Sequence, residues 1–539
     1  MGRKSIYKNG KIFTADRERP FADSMIVEDK KILWIGNEAD LIELGDESLD
    51  IIDLNNKRVI PGFVDAHMHP VTLADYNRQI SCLPPKVNSI EELKRAIRNR
   101  RQKQRPGDWI LGWGYDEGKF EEKRSPNRYD LDEGCDDAPV CLTRTCLHIR
   151  CVNSKVLQMA GITRETPDPE GGKIDRDENG EPTGILCENA RFLVNDLLPV
   201  NSFEDNVENV LQLGDVLSSQ GITSITDMGI FDDSNPKQIY EEAFRRGLKQ
   251  RVGIYYPINF FKAQGAEEAF CAKGGMETEG QVQIKGLKLF GDGSVSGKTA
   301  WMNEPYPDTD GYCGMGNTTD EELEEAISFC KKHRCQLSMH AMGGRAIDRI
   351  VKRVAKEKCW TDENIKCLRV EHITEPSEES IELARDKNFG FVIQPIFQYC
   401  EIESYLANLG LERTKKTYPV RTLLDAGVQV CFSTDSPATS WASPSDPFPS
   451  IKSAVTRIAY DGTDCGMDQR ISIQEAIELY TREAAQMCGF DKLGQLREGY
   501  YADFLVLSED ILEIEPNRVD QVCVEQTYIG GIKEYERRQ

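Results

Sequence analysis

"PGFVDAHMHP", residues 61–70, is the stretch on which the rest of the chain turns. It continues an apolar run, "RVIPGFVD", that reads as a buried strand, and it ends in two histidines one residue apart. Side chains on a strand alternate faces, so His67 and His69 point the same way, close enough for one cation to meet both imidazoles. The pair closes the C-terminal end of its strand, which is where barrel enzymes carry their chemistry. An isolated His-x-His also arises by chance. Here it is set against scarcity, since the 539 residues hold six histidines: His67, His69, His148, His333, His340 and His372.

Outward from this strand, the middle of the chain alternates strands with helical stretches, the signature of βα units around a parallel sheet. The strands are "VIPGFVDAHMH", "GITSITDMG", "QRVGIYYPI", "IKGLKLFGDGS", "QLSMHAMG", "CLRVEHIT", "FGFVIQPI" and "VQVCFSTDSP". Eight such units close a (β/α)8 TIM barrel, an α/β fold, predicted here over 59–487. "EELEEAISFCKKH", "GRAIDRIVKRVAKEK", "SEESIELARDKN" and "VRTLLDAG" supply helices between them. About 150 residues separate the first strand from the second, and an inserted subdomain is predicted at about 75–210, over the barrel mouth. Short strands at both ends, such as "DSMIVEDKKILWIG" and "LREGYYADFLVLSED", predict a small β-sandwich domain from 1–58 plus 488–539.

Polar residues on the strands then select the chemistry. His67 and His69 end the first, Lys288 lies in the fourth, His340 in the fifth, His372 in the sixth and Asp435 follows the eighth. A barrel turns all these ends toward one opening. Imidazole and carboxylate donors without thiolate suit zinc first, with iron, manganese or nickel as other divalent transition metals. Such a cation lowers the pKa of water toward neutrality, and Asp435 in "FSTDSP" is placed to accept the proton and pass it to a leaving group. His333, in "CKKHRC", reads as a solvated surface residue.

A net charge of −23 argues against nucleic acid or an anionic membrane as partner. The N-terminal stretch lacks an apolar core long enough for a signal peptide, and no run of about 18 apolar residues occurs, so a cytoplasmic protein is expected. Seventeen cysteines without a Cys-x-x-Cys pair read as reduced thiols. A homodimer is compatible with the sequence.

These features resemble the amidohydrolase superfamily, and within it the YtcJ-like subgroup that includes N-substituted formamide deformylases. The resemblance runs through "PGFVDAHMHP", "LHIRCVNSKVLQMAGI", "GGKIDRDENGEPTGIL", "LKLFGDGSVSGKTA", "SMHAMGGRAID", "RVEHIT", "IQPIF", "FSTDSPA" and "LGQLREGYYADFLVL", nearly the whole chain. It implies a metal-dependent barrel beside a β-sandwich, with His67, His69, His340 and His372 as metal ligands and Asp435 as the catalytic carboxylate that also touches metal. In binuclear members a fourth-strand lysine is carboxylated and bridges two ions. Lys288 takes that place, so the count is one or two ions. Lys285, three residues earlier, should face the other side.

The predicted reaction is hydrolysis of a C–N bond in an amide, formamide or cyclic amide of a small molecule. The same fold and site also serve C–O hydrolysis, decarboxylation or isomerisation, and a scaffold without catalysis is the remaining class. Substrate-binding candidates are His148, Trp113, Tyr115, Asp292 and Gln394, with Asp116, Trp301 and Tyr399 nearby in the same motifs or loops. Packing histidines, aromatic fillers beside glycines and a turn aspartate are the competing readings of these residues.

Overall fold

The computed structural model describes residues 4–41, 50–145, 149–229, 234–258 and 280–538. Eight parallel strands form one sheet: β1 (Phe63–Met68), β2 (Ile222–Asp227), β3 (Arg251–Pro257), β4 (Val282–Phe290), β5 (Gln336–Ala341), β6 (Leu368–His372), β7 (Gly390–Ile393) and β8 (Gln429–Phe432). They neighbour one another in chain order, as successive βα units require. Nearly every strand residue is buried, which is why these segments read as apolar runs rather than alternating patterns. Gly286 lets β4 pass close to β5, because a Cβ there would stand 1.9 Å from the Gln336 carbonyl oxygen. Beyond the ends of β8 and β1, the Asp435 N–H donates to His67 O (2.8 Å) and the His69 N–H to Ser436 O (2.8 Å), joining the last strand to the first. The sheet is a (β/α)8 barrel.

Helices follow the predicted segments. Asp320–His333 begins on a Thr319–Glu322 capping box and buries Leu323, Ala326, Ile327 and Cys330 on one stripe. His333 ends that stripe, and it corrects the sequence expectation of a solvated residue. Its ring lies 4.4 Å from Phe329, one turn earlier, and only 6% of the residue is exposed. Gly344–Val354, Glu378–Asp386 and Val420–Asp425 pack the same way, each through one buried stripe at helical spacing.

The chain separates into two compact units. One comprises 1–70, 210–436 and 445–539, and carries the barrel together with two sheets built from the terminal segments. One sheet orders Lys31–Gly36, Ser24–Glu28, Lys4–Lys8 and Asp50–Asp53. The other orders Ile532–Glu536, Val524–Ile529, Phe504–Leu507, Arg58–Pro61, Lys11–Phe13 and Phe21–Ala22, so both ends of the chain share it. Tyr7, Met25 and Val27 of the first sheet meet Ile12, Val59, Phe504 and Tyr528 of the second in one apolar core. Arg58–Pro61 pairs with Phe504–Leu507 and runs straight on into β1, so the sandwich anchors the strand that carries the histidine pair.

The second unit comprises 71–209 and 437–444. It has its own six-stranded sheet, which includes Ile110–Tyr115, Val140–Arg144 and the hairpin Gly172–Arg176/Pro182–Glu188 formed by "GGKIDRDENGEPTGIL". Among the described residues no helix is long and apolar enough to cross a membrane.

Candidate metal centre

Each barrel candidate sits at the C-terminal end of its strand, and the structure brings six of them together: His67, His69, Lys288, His340, His372 and Asp435. Ring centroids stand 5.7 Å apart for His67 and His69, 5.0 Å for His67 and His372, and 4.3 Å for His340 and His372. The Lys288 amine lies 3.3 Å from His67 Nε2. Asp435 Oδ1 lies 3.3 Å from His67 Nε2 and 3.5 Å from His69 Nε2, while Oδ2 lies 4.0 Å from His372 Nδ1.

Two of these positions are bought with backbone strain. His372 has φ +82° and Asp435 φ +55°, values that cost an L-residue roughly 1–3 kcal/mol each and persist when surrounding structure fixes them. At His372 the consequence is specific. Glu371 and Arg369 face the barrel interior, so strict alternation would turn His372 outward; the left-handed residue brings it in as well.

One nitrogen of each imidazole is held by an oxygen. His67 Nδ1 lies 2.8 Å from Glu371 Oε2, His69 Nδ1 2.9 Å from Gly229 O, His340 Nε2 2.9 Å from Gly293 O and His372 Nδ1 2.8 Å from Gln394 Oε1. A carbonyl or carboxylate accepts from N–H, so these bonds place the proton and direct the other nitrogen's lone pair into the cage. The supports are themselves fixed. Asp227 accepts the Gly229 N–H (2.8 Å) and the Tyr240 hydroxyl (2.6 Å), and Gln394 donates to Ser433 Oγ (2.8 Å).

Electrostatics favour neutral imidazoles around anions. Burial, followed by the Lys288 charge, pushes His67 well below the usual histidine range and His340 down to about 4; burial and then His340 do the same to His372. Burial lowers Lys288 to about 8, against the pull of Glu371 and Asp435. Burial alone would raise Asp435 and Glu371. The His67 and His69 rings that face Asp435 and the Lys288 amine outweigh it there, and the Arg369 and Lys288 charges do so at Glu371, so both carboxyls stay below their ordinary range.

These residues fit a divalent cation. Ligands about 2.0–2.2 Å from a tetrahedral ion stand roughly 3.3 Å from one another, which is the spacing of Asp435 Oδ1 from His67 Nε2 and His69 Nε2. That oxygen is buried and has no hydrogen-bond partner. Ligand atoms of His67, His372 and Asp435 also lie within 4.8 Å of one another.

The remaining candidates have other surroundings. Asp292 is buried and accepts backbone N–H groups from Met342 (2.9 Å), Gly343 (2.8 Å) and Trp301 (2.8 Å), tying together the loops after β4 and β5; burial raises it to about 7. Gln394 orients His372. Trp113 and Tyr115 belong to the second unit: Trp113 Nε1 donates to Tyr76 O (3.0 Å), and Tyr115 lies in that unit's apolar core. Asp116 accepts the Gly118 N–H in a turn, Tyr399 packs edge-on to Tyr460, and His148 falls outside the described residues. Lys285 turns away from the cage, donating to Gln283 Oε1 (2.5 Å) and Gly489 O (2.8 Å).

The sequence pattern of the amidohydrolase family matches residues 50–532. The chain belongs to that family. It is 30% identical over 542 residues to the putative amidohydrolase YtcJ of Bacillus subtilis, covering 99% of this chain and all of that one. It is 26% identical to an N-substituted formamide deformylase of Arthrobacter pascens, covering 98% of each. The crystal structure of an uncharacterized metal-dependent hydrolase from Pyrococcus furiosus matches with a TM-score of 0.73 at 26% identity, over 95% of this chain and all of the other. An amidohydrolase-family barrel with metal-dependent hydrolases among its relatives accounts for a cage of histidines and carboxylates at the strand ends.

Two residues outside the sequence candidates support the cage. Glu371 holds His67, and Arg369 holds Glu371 through Nε (2.6 Å). The available signal was an Arg and a Glu at i and i+2 in a five-residue strand, a pairing that puts both on one face.

Proposed function

We propose that this amidohydrolase hydrolyses a C–N bond of a small amide, formamide or cyclic amide, with Asp435 as general base and then general acid. The observation that carries the reading is the Asp435 carboxylate. It is buried, held as an anion, and has one oxygen without a hydrogen-bond partner facing two imidazole nitrogens. A divalent ion in this cage, zinc first among the candidates, supplies a Lewis acid for the carbonyl and acidifies water.

The chain's own groups do the rest. His67, His69, His340 and His372, oriented by their oxygen partners, would hold the ion or ions. Lys288, with its amine 3.3 Å from His67 Nε2, is proposed to act as its carbamate, formed from the neutral amine and carbon dioxide with release of one proton. Asp435 takes the proton of the attacking water at its carboxylate and delivers it to the departing nitrogen, which leaves as a neutral amine. Asp292 and Gln394 keep the loops and His372 in place around the reacting carbonyl.

Similarity to an N-substituted formamide deformylase along nearly the whole chain supports formamides as the first substrates to try. The test is a panel of N-formyl and N-acyl amines offered to zinc-reconstituted protein, with amine release as the readout. Turnover of a formamide or amide is the expected result. Hydrolysis of none of them beside turnover of an ester would replace the C–N reading with C–O hydrolysis.

A further inference from the structure

We propose that the buried Glu371–Arg369 pair makes the half of the cage built on His67, His69 and Asp435 the tighter cation site. The inference rests on reading the cage as a metal centre and adds an order of affinity within it. The four imidazoles differ in what stands behind them. Glu371 backs His67 with a carboxylate at 2.8 Å, whereas His69, His340 and His372 lean on the neutral oxygens of Gly229, Gly293 and Gln394. Asp292 Oδ1 stands 3.5 Å from His340 Nε2, but it accepts the Met342 N–H at 2.9 Å and the imidazole bonds to the Gly293 carbonyl. An anion behind an imidazole N–H raises the electron density at the opposite nitrogen, which becomes the stronger donor to a cation.

The charge is fixed as well as present. Glu371 and Arg369 are both fully buried. Arg369 donates to Glu371 through Nε to Oε1 (2.6 Å) and Nη2 to Oε2 (3.1 Å), and Ser338 Oγ donates to Oε1 (2.7 Å). The same guanidinium donates through Nη2 to Ala66 O (2.5 Å), the carbonyl immediately before His67, and through Nη1 to the Tyr255 hydroxyl (3.2 Å). One cation thus grips both the carboxylate that orients the His67 ring and the backbone that carries it. The carboxylate cannot swing away without leaving Arg369 buried and unpaired, which is costly. Ser338, Glu371 and Arg369 act through His67 and are positioning residues.

The test is chelator competition for zinc(II) with metal-free full-length protein, and the d–d spectrum of the cobalt(II) form as a second readout. Glu371→Gln keeps the volume and removes the charge; the double variant Glu371→Gln/Arg369→Met removes the orphaned guanidinium too, so that a folded protein remains. Gln394→Leu is the counter-variant on His372. The expected result is that both Glu371 variants lose about 10–100-fold in affinity for the first zinc and shift the cobalt band of the first equivalent, whereas Gln394→Leu leaves the first zinc unchanged. Unchanged first-zinc affinity in the Glu371 variants, or an equal loss in Gln394→Leu, overturns the proposal. Wild-type protein that binds no stoichiometric zinc overturns the metal reading itself.

Discussion

The core of the terminal sandwich and the interior of the barrel are equally buried and built from opposite materials. In the sandwich, Phe504 stacks on Tyr528 with centroids 4.3 Å apart, Tyr7 meets Phe504 edge-on at 5.0 Å, and Ile12, Met25 and Val59 fill the gaps. In the barrel the same degree of burial encloses Lys288, Arg369, Glu371, His67, His69, His372 and Asp435. Apolar burial stabilises at about 25 cal/mol per Å², while each buried charge stabilises only if partners surround it. One region holds the fold together; the other spends part of that stability on a site.

That contrast can be broken from either side. The largest expected effect is His67→Ala, which drops zinc content below stoichiometry and turnover to background, checked by metal analysis and assay on one preparation. Asp435→Asn follows: turnover falls about 10²–10⁴-fold, the size of a lost general acid–base, while much of the metal stays. In the sandwich, Phe504→Ala costs about 3–5 kcal/mol in denaturant unfolding and leaves turnover per folded molecule unchanged. If it also lowers metal content, the sandwich does more than anchor β1.

Lys288→Met sharpens the comparison within the barrel. Burial brings this amine from 10.5 down to about 8, so its charged form opposes folding. The unfolded chain binds the extra proton between those values, and stability of the metal-free wild type rises with pH across that window. Metal-free Lys288→Met is therefore more stable than wild type at pH 7, by up to about 3 kcal/mol, and the advantage shrinks from pH 8 toward 10.5. A variant that is less stable at pH 7 would mean that Lys288 earns more from Glu371 and Asp435 than burial takes away.

The barrel was legible because parallel strands announce themselves as short apolar runs, and a histidine or aspartate at the end of such a run stands out. What the period of two concealed was Glu371. It adjoins His372, and alternation admits only one of two neighbours to the interior; the left-handed backbone at His372 admits both. His333 was misread for a related reason. Its neighbours in "CKKHRC" are charged, yet its helical stripe from Leu323 to Cys330 carries it inward. Gln394 and Asp292 were visible as polar residues at strand ends, but the partners of Asp292 come from loops whose course no local pattern encodes, and those of Gln394, His372 and Ser433, from the ends of neighbouring strands far off in sequence. Trp113 and Tyr115 show the reverse case, aromatic residues beside glycines that serve the interior of their own unit.

The hydrogen bond from the Asp435 N–H to His67 O has a consequence in time. It joins the first barrel strand to the loop after the last, so a nascent chain emerging from the ribosome carries its histidine pair long before the opposing carboxylate exists. Until the segment after the closing strand arrives, the histidine pair lacks the Asp435 carboxylate that faces it in the folded chain, so the cage is completed only late in synthesis.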